Sequence, residues 1–363
     1  MAHISQLDME MNVTDDPCLS VNSSVQLRHA PTRCDSTSMN PGPLRDAAVM
    51  GLRDHAMTLD ECDTLFAEIR TTTTPTVLAE QFARLLDAEY PVYRLGLSRG
   101  HMYWRARPSG PEGYSNVGDV TYPPVTSAAL NRLSAQNEPR FYAASRRETA
   151  LLEQAHGAPG EYFHLLGTWV KAGHQIRVLV LGELHYVYKL GYFRAFGGDP
   201  GVGRQLNALP RDQGLRAVYI DAFLGSILSD PNAHESEYVR SRTLLSVIAG
   251  RYPLDAVLYP SVKDPLGTNL VISPEALEEN MVYCASRVVR VERRREFGIV
   301  ESTIVRQSDG IEPAGDFRWK EDANPSQECF FGLTLEEFEF SLRNTNSANA
   351  IVDLKDFIRR GAT

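Results

Sequence analysis

Two arginines stand one pleat repeat apart in HMYWRARP, residues 101–108. In an extended strand Met102, Trp104 and Ala106 share one face, while Tyr103, Arg105 and Arg107 share the other. An apolar face thus backs onto two guanidinium forks, whose planar donors match phosphate or carboxylate oxygens. Such arginines are either solvated on an edge strand or grip an anionic ligand. Further on, RFYAASRRETALLEQ (140–154) reads as a strand holding Tyr142 that runs directly into a helix. Ser145 and Glu148 have capping-box spacing, which starts the helix at that serine and places Glu153 two turns in. A carboxylate there faces either water or a cleft. The polar loop before it, PPVTSAALNRLSAQNEPRF (123–141), carries Arg132. YPSVKDPLGTNLVI (259–272) reads as strand, Pro/Gly turn and strand, with Ser261 ending the first and Asn269 opening the second.

The elements that must position these residues are mixed. Residues 1–55 are rich in Ser, Thr, Asn, Asp and Pro and lack a sustained period, the composition of a disordered extension. Helical patterns at 58–70 and 74–90 make 56–94 a helical N-terminal extension. Strands are expected at 101–107, 140–145, 176–184, 255–261 and 269–273 and across 288–307, with a helix at 236–252. Residues 311–363 form a C-terminal tail with short helices, one opening at the Thr334–Glu337 capping box. The fold class is α+β, a mixed β core with surrounding helices plus extensions at both ends.

Composition narrows the function. Lys and Arg number 37 against 46 Asp and Glu, a net charge of −9, which argues against a direct nucleic-acid surface. Five cysteines, widely spaced and without a CxxC pair, suit neither a disulfide framework nor a zinc site and point to a reducing cytoplasm. The N-terminal MAHISQLDMEMN lacks a signal-peptide layout. The most apolar stretch (176–193) is interrupted by Glu183, His185 and Lys189, so no membrane span is expected. The nine histidines show no HExxH or paired metal spacing, and no metal site is expected. GGDPGVGR (197–204) has no following GK[ST] and reads as a plain loop.

The ordered set resembles the RES domain family, named for its Arg, Glu and Ser. The matching residues are Trp104–Arg105, Arg132, Phe141–Tyr142 with Ala143 and Ala144, Glu153 ending ETALLE, Tyr259–Pro260–Ser261, and Asn269–Leu270. Arg132 to Tyr142 is ten residues and Tyr142 to Glu153 eleven, as in the family, and the resemblance spans roughly 95–310. Three positions depart: Asn131 and Asn137 stand where glycines are usual, and Ser134 where an Asn is usual. The resemblance implies an ADP-ribosyltransferase-like fold and degradation of NAD, taken as substrate and not as cofactor. It also implies a bacterial toxin with a cognate antitoxin as partner.

The residues suit that chemistry. Breaking the nicotinamide–ribose bond passes through an oxocarbenium-like sugar, as in glycoside cleavage. Glu153 can stabilise that charge, and Arg105, Arg132 and Arg107 can hold phosphate. Tyr142 can stack on the nicotinamide, and Ser261 can either bond the ribose or hold Glu153. Nicotinamide leaves neutral, so no general acid is needed. Attack by water or phosphate makes an NAD glycohydrolase or phosphorylase. The alternatives are ADP-ribose transfer to a protein and a catalytically inactive binding module. Because residues 1–55 lack a core-forming composition, their deletion is expected to leave NAD turnover unchanged, as a nicotinamide-release assay on the truncated protein would read.

Overall fold

The computed structural model describes residues 57–88, 90, 94–97, 102–154, 160–191, 194 and 202–320. The expectations for residues 1–55 and for the helices from 334 onward lie outside that set. Helix α1 (Leu59–Thr71) opens on the Thr58–Glu61 capping box: Thr58 Oγ1 accepts from Glu61 N at 3.2 Å, and Glu61 Oε2 accepts from Thr58 N at 2.7 Å. Helix α2 (Pro75–Asp87) carries proline in its first turn, where the missing N–H is not needed. Both bury an apolar stripe in the main core. The boundary expected at residue 94 is therefore not a boundary of packing.

Strands β1 (Arg94–Leu97), β2 (Tyr103–Ser109) and β3 (Phe141–Ala144) lead to helix α3 (Arg147–Gln154). Strands β4 (Glu161–Val170) and β5 (Ile176–Val180) follow, then helices α4 (Leu184–Leu190), α5 (Val202–Ala208), α6 (Arg211–Leu228) and α7 (Val239–Ala249). The chain ends its described part with β6 (Ala256–Pro260), β7 (Thr268–Ile272), α8 (Pro274–Asn280), β8 (Met281–Arg294), β9 (Val300–Ile311) and β10 (Phe317–Trp319). Among the described residues all ten strands join one sheet in the order β1-β5-β6-β7-β3-β2-β4-β8-β9-β10, and of these pairs only β5–β6 is parallel. The fold is α+β with a large mixed sheet. Among the described residues no helix is long and apolar enough to cross a membrane.

Several expected elements change shape. The strand expected over 176–184 stops at Val180 because the chain must turn at Gly182, which adopts φ 76 against Gly225 of α6. A Cβ at Gly182 would stand 2.8 Å from the Gly225 Cα. The helix expected from 236 starts at Val239, after Glu237 and Tyr238 both take left-handed backbone. Residues 202–204, read as loop, open α5. Phe317–Trp319, placed in the tail, add the edge strand β10. Strands β1 and β4 and helices α4, α5, α6 and α8 were not anticipated.

Strand β2 is paired unequally on its two sides. It pairs with β4 from Tyr103↔Thr168 to Ser109↔Tyr162, whereas it meets β3 at one position, Trp104↔Ala144. The sheet is thus held on both flanks and splayed between β2 and β3. Tyr103 enters the larger core, and Trp104 and Ala106 enter a smaller one with Ala150 and Leu151 of α3.

Two buried groups give stability opposite pH slopes. Burial raises the Asp221 carboxyl from 3.8 to about 6, ahead of the donors Tyr90 Oη, Gly182 N and Leu184 N that pull it down. Its contribution is full below 3.8 and is lost as pH rises to about 6. Burial lowers His164 from 6.5 to about 4, and its Nδ1 accepts from Tyr114 N at 3.0 Å, so the ring stays neutral. Its contribution is full above 6.5 and is lost as pH falls to about 4. Thermal unfolding over this window is expected to tilt in opposite senses. Relative to wild type, Asp221→Asn should gain stability toward neutral pH, and His164→Asn should gain it toward acid.

Candidate active site

A cleft of about 520 Å³ opens where β2 and β3 part, within the size range of small-molecule sites. Arg105, Arg132, Tyr142, Glu153 and Asn269 all line it. They come from β2, a loop, β3, α3 and β7, so the splayed sheet is what brings them together. Ser261 stands immediately behind, 7% exposed.

Glu153 is the most constrained of these side chains. Its Oε1 accepts from Ser261 Oγ at 2.6 Å, Asn269 Nδ2 at 2.7 Å and Val262 N at 3.3 Å. All three donors converge on one oxygen and leave Oε2 outside this grip. Ser261 Oγ in turn accepts from Lys263 N at 3.1 Å and Asp264 N at 3.0 Å. Of the two roles open to Ser261, the structure places it on Glu153.

The Ser145–Glu148 capping box does not start α3. Ser145 N donates to Thr268 O at 2.9 Å, and Ser145 Oγ accepts from Thr268 Oγ1 at 2.8 Å, so that serine continues the ladder between β3 and β7. The first helical bond runs from Ala150 N to Arg146 O, and the helix begins at Arg147. Glu153 consequently sits in its last turn.

The two strand arginines part company. Arg105 is half-buried over the Phe141 ring, donating from Nε to Val120 O at 2.8 Å and from Nη1 to Tyr142 O at 3.1 Å. Burial, then the nearby Arg107 charge, brings its guanidinium down to about 10, still protonated at neutral pH. Arg107 does not reach the cleft: its Nη1 donates to Asp119 O, and its guanidinium lies 4.9 Å from the Tyr114 ring centre. Both therefore clamp the loop that folds over the strand, and of the two Arg105 alone also lines the cleft.

Arg132 donates to Asp230 O at 2.9 Å and stacks over Tyr238 at 5.5 Å. Tyr142 Oη accepts from Leu133 N at 3.1 Å and lies 3.1 Å from Ser134 Oγ, fastening the same loop, while its ring lines the cleft. Burial raises the Tyr142 phenol. Asn137 has φ 63, left-handed backbone that Gly and Asn tolerate best. Asn131 and Ser134 exchange backbone hydrogen bonds that close the Arg132 turn.

Other lining residues escaped the reading of the sequence. Arg140 pairs with Glu138, whose carboxyl burial would raise but which Ala135 N and Arg140 hold low. Lys263 follows Ser261 by two residues, and His234 and Tyr238 close one wall. A basic residue beside each recognised motif was the available signal for Arg140 and Lys263; nothing local marked the 231–238 wall. Along the lining, Arg105, Arg132, Arg140 and Lys263 face Glu138 and Glu153, an excess of positive charge in a chain of net −9.

No family model matches the chain, and neither does any curated protein or solved structure. The geometry alone separates the two strand arginines. On the expectation of an NAD-derived ligand, titration of folded variants with ADP-ribose should show Arg105→Lys binding about 10-fold weaker or worse, since a fork is replaced by a point charge. Arg107→Lys should bind as wild type does; equal losses would place Arg107 in the site.

Proposed function

We propose that the cleft degrades NAD by cleaving the nicotinamide–ribose bond, as in the RES domain family that the sequence resembles. The observation that carries this reading is the Glu153 carboxylate, held through one oxygen by Ser261, Asn269 and the Val262 amide at the wall of a cationic cleft. A fixed carboxylate is what an oxocarbenium-like sugar needs, because preorganised charge costs no reorganisation as the bond breaks. Arg105 and Arg132 are suited to the pyrophosphate, and the Tyr142 ring to the nicotinamide.

In the reaction the C–N bond breaks and its electron pair leaves with nicotinamide, which is then neutral. Water adds to the sugar carbon and loses a proton to solvent, giving ADP-ribose; phosphate as nucleophile gives ADP-ribose 1″-phosphate. The splayed sheet with a glutamate helix beside it suits an ADP-ribosyltransferase-like arrangement. The biological setting implied by the resemblance is a cytoplasmic bacterial toxin restrained by an antitoxin.

Glu153→Gln keeps the shape and an acceptor oxygen but removes the charge. Its kcat for nicotinamide release is expected to fall about 10²–10³-fold, roughly 3–4 kcal/mol, with KM changed far less. Stability should move by less than about 1 kcal/mol. Expressed in a bacterium, wild type should deplete NAD and arrest growth while this variant does neither. Wild-type turnover by Glu153→Gln would overturn the assignment, and growth arrest with NAD intact would favour transfer to a protein.

A further inference from the structure

Glu153 is aimed by its helix, and the helix is tied to the donor loop at a second place. Thr149 lies one turn before Glu153 on the same face of α3. Its Oγ1 donates to Asp264 Oδ2 at 2.5 Å, and both residues are buried, Thr149 at 0% and Asp264 at 7% exposure. The other carboxylate oxygen, Asp264 Oδ1, accepts from Leu266 N at 3.1 Å. Asp264 N donates to Ser261 Oγ, the same atom that donates to Glu153. One aspartate thus joins the helix, the turn and the serine.

The contact leaves no slack. Gly267 closes the turn through Gly267 N to Asp264 O and Ser261 N to Gly267 O, both at 3.0 Å. A Cβ on Gly267 would stand 2.5 Å from Thr149 Cγ2 and Oγ1 and 2.6 Å from Asp264 Oδ2. Two outer anchors hold the assembly: Arg294 Nη2 donates to Leu152 O at 2.6 Å, and Arg194 Nη1 donates to Pro265 O at 2.6 Å. Arg194 is itself fixed by a buried ion pair with Glu183 at 2.6 Å.

We infer that Thr149 and Asp264 are positioning residues that set the distance between the Glu153 carboxylate and its donors. They touch no ligand: neither lines the cleft. The inference rests on the reading of Glu153 as the catalytic carboxylate, and its effect belongs to kcat because it governs alignment and not ligand contact.

The test compares two substitutions at one position. Thr149→Val keeps the volume and loses the hydroxyl; Thr149→Ser keeps the hydroxyl. Per folded molecule, Thr149→Val is expected to lower kcat for nicotinamide release roughly 10-fold or more, with KM for NAD within about two-fold. Amide exchange at Val262 and Leu266 should quicken in the same variant. Thr149→Ser should restore both. Equal impairment in the two variants, or a fall in melting temperature with kcat and loop exchange unchanged, would overturn the inference. Glu153→Gln run alongside separates the two levels: if it turns over NAD like wild type, the catalytic reading falls while the exchange data still judge the clamp.

Discussion

A carboxylate that accepts three hydrogen bonds through a single oxygen can exist only where the donors are already in place. Ser261, Val262 and Asn269 supply them from the end of β6, the following turn and the start of β7. Those strands are registered by Tyr259↔Asn269, and β7 to β3 by Ala144↔Asn269. Asn269 is therefore a rung of two ladders and a ligand of Glu153 at once. Helix α3 follows β3 after two residues, so the same register that seats Asn269 also sets the origin of the helix. A slip of one residue would turn Asn269 to the opposite face, and the carboxylate would lose a donor.

The cations of the cleft are held in a different way. Arg105 and Arg132 each donate to backbone carbonyls of other segments, at Val120 and Tyr142 and at Asp230. Carbonyl oxygens orient a guanidinium without neutralising it. A carboxylate partner would fix the side chain equally well but cancel the field that an anionic ligand meets. Arg140, paired with Glu138, illustrates the other arrangement within the same cleft. The molecule thus keeps a locally positive site on a chain whose overall charge is negative.

Much of this was legible from residue order. Strand β2 follows from alternation and the Thr58–Glu61 cap from its spacing, β3, β6 and β7 read as short apolar runs, and five proposed ligands meet in one cleft with Ser261 behind. What failed did so for identifiable reasons. EYFHLLGTWV forms β4 in the middle of the sheet, buried on both faces for most of its length, so no polar alternation marks it. Helix α6 is buried around most of its circumference and contains Gly214 and Gly225, which hides its period. Ser145 had the right spacing for a cap, but its N–H and hydroxyl were taken by Thr268, a partner far away in sequence. Arg107 had the right alternation for the cleft; only the fold of the loop at Asp119 decided otherwise.

The long span closed by Glu153 carries a consequence in time. Ser261 and Asn269 lie 108 and 116 residues beyond it, across helices α4 to α7 and strands β4 to β6. At 5–20 residues per second, a ribosome adds that last stretch in about 6–23 s. Throughout that interval a nascent chain carries the acidic helix without the turn that holds its carboxylate. Such long-range closure also belongs to the slower steps of folding. The grip on Glu153 is consequently completed only once residue 269 has been made, and a polypeptide halted before it would own the glutamate yet lack the Asn269 donor.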